Sequence, residues 1–476
     1  MSIDKFKRFF ILTIAVCFIV VTASPVIAQI KDTPIIQTQN NNLQLVARAK
    51  KLYQSGRFTE AVEIWQQASD GFAAVGDKAN QAMSLSNLSL TYQKLGQWNA
   101  AREAISKSIN LLQSSSEENQ LKILAQSLSI QDKLQLTTGD AKSALQTRQQ
   151  AAAIYSKLDD NTGKIQNQIN QAQAYQTLGF YRRAIAILKQ VNKTLQTQPD
   201  SAFKLRVLLN LGNALNISGD LQQAQENLQQ SLKIADSLQL REYQSRIYLS
   251  LGNLERSQKK FPEAINYYKQ AANSADANVQ VQAKLNHLNI LIETQQWQLA
   301  KAMWTPILEQ LNDLPTSSSN INAKINLAQS LICLKQPNLT KEELNSPVTQ
   351  QCIISNSNQQ IKSIQNSNVP EWSEIDKLLV TAKEQAKALQ DKRAEAYALG
   401  YRGAVYQQKQ NLSEADNLTR QALNLAIDVK ASDIAYLWQW QLGRIAKSRN
   451  ELQTAISTYT DAFKNLQSLR GDLVAT

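Results

Sequence analysis

One histidine and three cysteines are the whole supply of soft nucleophilic side chains in these 476 residues. His287 falls in an apolar-periodic stretch at a position where comparable stretches carry Leu88, Leu211 or Leu251, so it reads as a packed residue. A cysteine–histidine nucleophile would need it beside Cys333 or Cys352, and no orienting motif accompanies them. One histidine and two cysteines do not complete a tetrahedral zinc set without carboxylate help. Neither GxGxxG nor GxxxxGK occurs, which removes the Gly-rich phosphate loops. The residue types and spacings predict no catalytic site, no metal and no cofactor.

The third cysteine, Cys17, belongs to a different feature. Lys5, Lys7 and Arg8 precede an apolar run from Phe9 to Val21, and Val26-Ile27-Ala28 has the small-residue pattern of a cleavage site. This reads as a signal peptide over residues 1–28, the alternative being an uncleaved anchor, although the run is shorter than the roughly 18 residues of a spanning helix. Removing it takes away Lys5, Lys7, Arg8 and Asp4 and lowers the formal charge from +12 to +10. The expected location is periplasmic or secreted. In an oxidising compartment Cys333 and Cys352 are a candidate disulfide, two unpaired buried thiols being the alternative. The remaining basic residues are dispersed among Gln- and Asn-rich stretches without a run of five, so most read as solvated faces. Binding to an anionic polymer is a competing reading, with strongly salt-dependent affinity as its signature.

What must position any surface residue is a repeat. In NLGNALNISGDLQQAQENLQQSLKIA, from Asn210 to Ala235, the pattern predicts one helix from about Ala202 to Ser218, a turn at Gly219-Asp220, and a second helix from about Leu221 to Leu238. Gly212 and Ala224 are the small residues that allow close approach, with Leu208, Leu211, Leu215, Leu221 and Leu228 filling the seam. A turn residue followed five positions later by alanine recurs at Gly56/Ala61, Gly96/Ala101, Gly139/Ala144, Gly179/Ala184, Gly219/Ala224, Lys259/Ala264 and Gln295/Ala300. The step is close to 40 residues.

Small residues at Ser89, Ala172, Gly212, Gly252, Gly403 and Gly443, aromatics at Tyr53, Tyr92, Tyr175 and Tyr406, and these alanines together resemble the tetratricopeptide repeat (TPR) family. The family's familiar period is 34 residues, and longer helices or linkers absorb the difference. The resemblance implies an all-α, right-handed superhelical solenoid of about ten helix hairpins. The expected organisation is a flexible lead-in over 29–42, seven repeats over 43–314, the first helix of an eighth over 315–335, an irregular Pro-bracketed insertion over 336–370, and further repeat helices over 371–476. The last helix carries Ala455, Ile456, Tyr459, Phe463 and Leu466 at helical spacing, which predicts an uncovered apolar face.

In the TPR family the first helix of each hairpin lines the concave face. Matching positions here are Asn213, Asn253 and Asn289, with Arg206, Arg246 and Arg256 beside them. Amides of this kind can hold an extended peptide by its backbone, and arginines favour carboxylates, so the resemblance implies a peptide groove centred on repeats four to seven. Trp65, Trp98 and Trp297 read as core residues. The signal peptide, Gln-rich repeats, interrupted repeat and ending SLRGDLVAT also resemble the repeat portion of bacterial TPR–CHAT proteins. There the chemistry belongs to a His/Cys dyad in a caspase-like domain that has no counterpart in these residues. The sequence therefore predicts a non-catalytic, exported protein–protein interaction scaffold, without specific nucleic-acid binding. The alternative is the regulatory or truncated repeat half of a TPR–CHAT protease system, with a caspase-like partner.

Overall fold

The computed structural model describes residues 34–335 and 369–474, and among them every regular element is a helix. Among the described residues, twenty helices form ten hairpins. The first seven pair α1 (Pro34–Gln54) with α2 (Phe58–Ala74), α3 (Lys78–Lys94) with α4 (Trp98–Leu112), α5 (Glu118–Thr137) with α6 (Ala141–Lys157), α7 (Asn161–Thr177) with α8 (Tyr181–Leu195), α9 (Ala202–Ser218) with α10 (Leu221–Ser237), α11 (Arg241–Ser257) with α12 (Phe261–Ala271), and α13 (Ala277–Glu293) with α14 (Trp297–Asp313). The last three pair α15 (Ser318–Lys335) with α16 (Trp372–Leu389), α17 (Lys392–Gln408) with α18 (Leu412–Asp428), and α19 (Ser432–Ser448) with α20 (Leu452–Val474).

Local chemistry sets the beat. Helices of 17 residues dominate, α9, α10 and α17 among them, each about 25 Å long at 1.5 Å per residue. Between them one turn residue takes the left-handed conformation and the next often caps the following helix. Gly219 has φ of 89°, and the Asp220 carboxylate then accepts from the Gln223 amide. The same pairing recurs at Gly76-Asp77, Gly139-Asp140, Asp159-Asp160 and Gln390-Asp391. Left-handed Gln239, Gln410, Lys430 and Asn450 continue the beat without glycine. Each such side chain costs roughly 1–2 kcal/mol of backbone strain.

The small residues perform the task the pattern predicts. A Cβ on Gly212 would come within 2.6 Å of Leu228 and 3.2 Å of the Ala224 carbonyl. Gly252 meets Tyr268, Gly403 meets Thr419 and Gly443 meets Tyr459 in the same way. At the equivalent Ser89 the hydroxyl donates to the Ala101 carbonyl at 2.8 Å. The apolar core is divided into successive clusters along the array: Ile169, Leu188, Leu205, Leu208 and Leu228 fill its middle, and Leu285, Leu327, Leu379 and Trp438 its later part.

Several sequence boundaries move. The expected lead-in is helical from Pro34, because proline at a first helical position lacks only an N–H that has no intrahelical partner there. Asn42, expected in that lead-in, is 4% exposed and packs on Gly71. The expected signal peptide over 1–28 lies outside the described residues, as do residues 336–368 of the expected insertion and Cys352. No helix among the described residues is long and apolar enough to cross a membrane.

Candidate binding surface

First helices pack on the first helices of neighbouring hairpins: α3 on α5, α7 on α9, α9 on α11, α11 on α13 and α13 on α15. Successive second helices do not pack comparably, so the first helices occupy the inner side of the curve. Their facing polar residues form a ladder from one repeat to the next. Arg206 Nη1 donates to Gln166 Oε1 at 2.6 Å, and Gln176 Nε2 donates to the Asn210 carbonyl at 2.9 Å. Further on, Asn286 Nδ2 donates to Asn253 Oδ1 at 2.7 Å, and the Ser330 hydroxyl donates to Asn289 Oδ1 at 2.6 Å.

The six residues expected to hold a peptide thus lie on the first helices, but most are engaged within the array. Asn253 Oδ1 also accepts from the Tyr268 hydroxyl at 2.8 Å. Arg246 pairs with Asp276 at 2.9 Å and Arg256 with Glu293 at 3.3 Å. Asn213 is half-buried, and no described side chain is seen to bond it. These bonds set the angle between neighbouring repeats as well as lining the surface. A segment docking here would meet amides already ordered by their neighbours, a preorganised face.

The electrostatics are basic. Burial lowers the Arg206 pKa, and the nearby Arg246 lowers it further. Burial also depresses Lys133 on α5, with Lys94 on α3 and Arg246 on α11 adding like charge. Burial would raise the Asp276 carboxyl, yet Arg246 and the amides of Asn278 and Val279 outweigh it and hold it low. Lys94 and Lys133 were missed in the sequence because each reads as an ordinary charged helix position. Only the curvature brings α3, α5 and α11 within electrostatic reach.

A separate cleft of about 650 Å³ lies between α2, α3 and α4. Leu85, Leu88 and Tyr92 line it, together with the charged Asp70, Glu103 and Lys107. His287 is half-buried rather than fully packed, whereas Leu211 and Leu251 are each 2% exposed. Burial, then Lys269, keeps its imidazole pKa low. Cys333 is 5% exposed in the last turn of α15. Among the described residues, no group of three or more His, Cys, Asp and Glu could hold a metal ion. Trp65 is buried, and Trp98 and Trp297 are partly buried against the large later core.

This geometry defines a helical-repeat solenoid. The profile described as tetratricopeptide repeat matches residues 45–114 and 203–277, which run from within α1 through α4 and over α9–α12. Among solved structures, a putative kinesin light chain of Podosopora anserina with nearly identical TPR-like repeats is 22% identical, with TM-score 0.37 over 42% of this chain and 97% of that one. Apo RapI is 13% identical, with TM-score 0.48 over 58% of this chain and 100% of its own. A Rap protein complexed with competence and sporulation factor is 12% identical, with TM-score 0.48 over 87% and 99%. No curated protein matches the chain in sequence.

Proposed function

We propose that the chain is an exported, non-catalytic scaffold that binds a protein or peptide segment along its first-helix surface. The observation that carries the reading is the ladder of ordered amides beside Arg206, Arg246 and Lys133. Amides match the backbone of an extended segment, and the surplus of cations favours acidic side chains in it. Export rests on residues 1–28 and the bridge on Cys333 and Cys352. Free-thiol labelling of the unreduced, unfolded protein should leave both cysteines unmodified, and labelling of both would remove the bridge.

The test begins by tagging the chain at low copy in its own host and identifying what co-purifies at moderate salt. A stoichiometric protein lost from the Arg206→Glu/Arg246→Glu variant supports the surface. Retention of that protein by the variant rules the surface out. The exposed Leu452, Ile456 and Phe463 on α20, each at least 55% exposed, favour a second reading in which a protein neighbour covers that face. A caspase-like companion would make the chain the recognition half of a TPR–CHAT system, and its loss on Ile456→Lys would place the contact.

A further inference from the structure

The array comes back into contact with itself. Arg102 on α4 donates through Nη2 to the Leu389 carbonyl at the end of α16, at 2.9 Å. Trp98, one turn earlier, packs both on its own Ala101, Ile105 and Leu134 and on the core built from residues 281–438. Next along the chain, α5 touches α15. A Cβ on Gly139, in the turn after α5, would come within 2.2 Å of the Asp391 carboxylate. One repeat further, Tyr181 at the start of α8 lies within electrostatic reach of Asp433 and Arg393. The pairs 139/391 and 181/433 have the same separation along the chain. The contact is therefore a register in which turns of repeats two to four stack on turns of repeats eight to ten.

The two sides of this seam differ in chemistry from the joints within the stack. Hairpins in the middle of the stack share one apolar cluster, whereas the seam is held mainly by polar groups, Arg102, the buried Asp391 carboxylate and Tyr181 near Asp433, beside the half-buried Trp98 indole. Asp391 is 4% exposed, and its oxygens are engaged by the Ala394 amide at 3.0 Å and the Ser318 hydroxyl at 2.7 Å. It has no room to move aside for a side chain at position 139. A joint with little apolar burial opens before the cores beside it. Small changes of angle at each repeat, summed over the intervening hairpins, are enough to separate the edges.

We propose that this seam is a latch. Gly139 and Arg102 against the 389–391 turn hold the coil closed, and their release uncoils the array and widens access to the first-helix surface. The latch is a property of the free chain and stands apart from the identity of any partner.

The test compares the full chain with Gly139→Asn, Gly219→Asn and Arg102→Ala by small-angle scattering, with circular dichroism reporting helix content. Asparagine tolerates the left-handed conformation, as Asn450 does in this chain at φ of 63°. Gly219, at φ of 89° in a turn outside the seam, has nothing within 4 Å of its would-be Cβ and serves as the control for turn strain. Gly139→Asn should increase the radius of gyration at unchanged helix content, and Gly219→Asn should leave it at the wild-type value. Arg102→Ala should shift it in the same direction by less. Wild-type scattering from Gly139→Asn with full helix content, or equal expansion in Gly219→Asn, overturns the latch. Should Gly139→Asn lose helix content, Arg102→Ala decides, since expansion supports the latch and an unchanged radius overturns it.

Discussion

The hairpin α9–α10 and the joint between α5, α6 and α7 are built on the same backbone beat and held by opposite chemistry. In the first, Gly212 admits Leu228, and Leu205, Leu208 and Leu211 close around them with at most 2% exposure. In the second, Arg148 pairs with Asp132 in the interior, their side chains 1% and 3% exposed. Asn167 Nδ2 donates to the Arg148 carbonyl at 3.0 Å, and Asn170 lies 3.5 Å from the Asp132 carboxylate. Burial pushes the Asp132 carboxyl up and the Arg148 guanidinium down, while their mutual attraction opposes both shifts. The repeat geometry therefore accepts either filling, even though the buried Nε and Nη1 of Arg148 find no hydrogen-bond acceptor among the described residues.

The largest effect expected from this contrast is at the polar joint. Asp132→Ala or Arg148→Ala strands a buried charge and should destabilise by about 3–5 kcal/mol, whereas replacing both with apolar residues of similar volume should be close to neutral or stabilising. Urea midpoints of the two single variants and the double variant separate these outcomes. A double variant as damaged as either single would mean the pair is not isolated from its neighbours. At the apolar hairpin, Leu228→Ala should lose about 2–5 kcal/mol with no rescue by a polar partner, read by the same titration.

Tyr268 combines the two chemistries, being 1% exposed against Gly252 with its hydroxyl on Asn253. Burial raises its pKa to about 12 from the ordinary 10.0. Stability from the neutral phenol is complete below pH 10 and is lost as pH rises through about 12, because the unfolded chain ionises first. A shift of this size corresponds to roughly 3 kcal/mol. Tyr268→Phe should flatten that alkaline loss in thermal melts, and an unchanged slope would assign it to other tyrosines. The smallest effect belongs to the turns: Asp220→Ala, which removes a cap common to both kinds of joint, should cost about 1 kcal/mol.

Legibility follows the range of the interaction. The α9–α10 hairpin was readable to within one residue because its turn, cap and small-to-large contact all lie within a few helical turns of each other. Turns at Lys259 and Gln295 were readable from the alanine five positions on, although an ordinary polar residue occupies the left-handed position there. Asp132 and Arg148 looked like solvated charges, since no local pattern marks a helix face that the next repeat will cover. On the candidate surface, the helices that carry the six residues were readable and the partners those residues take within the array were not. Asn253 and Asn289 stand on the first helices as expected, but Asn286 and Ser330 of neighbouring repeats occupy their oxygens.

By itself the sequence determined the hairpins, their period near 40 residues and the side of each helix that is apolar, because these depend on backbone conformation and contacts between adjacent helices. Tertiary structure alone decided that Arg102 would reach Leu389, that Gly139 would lie on Asp391, and that Lys133 would share its surroundings with Arg246. Those meetings depend on a rotation per repeat too small to be written in any single turn. Accumulated over successive hairpins, that rotation sets which distant edges of the coil touch.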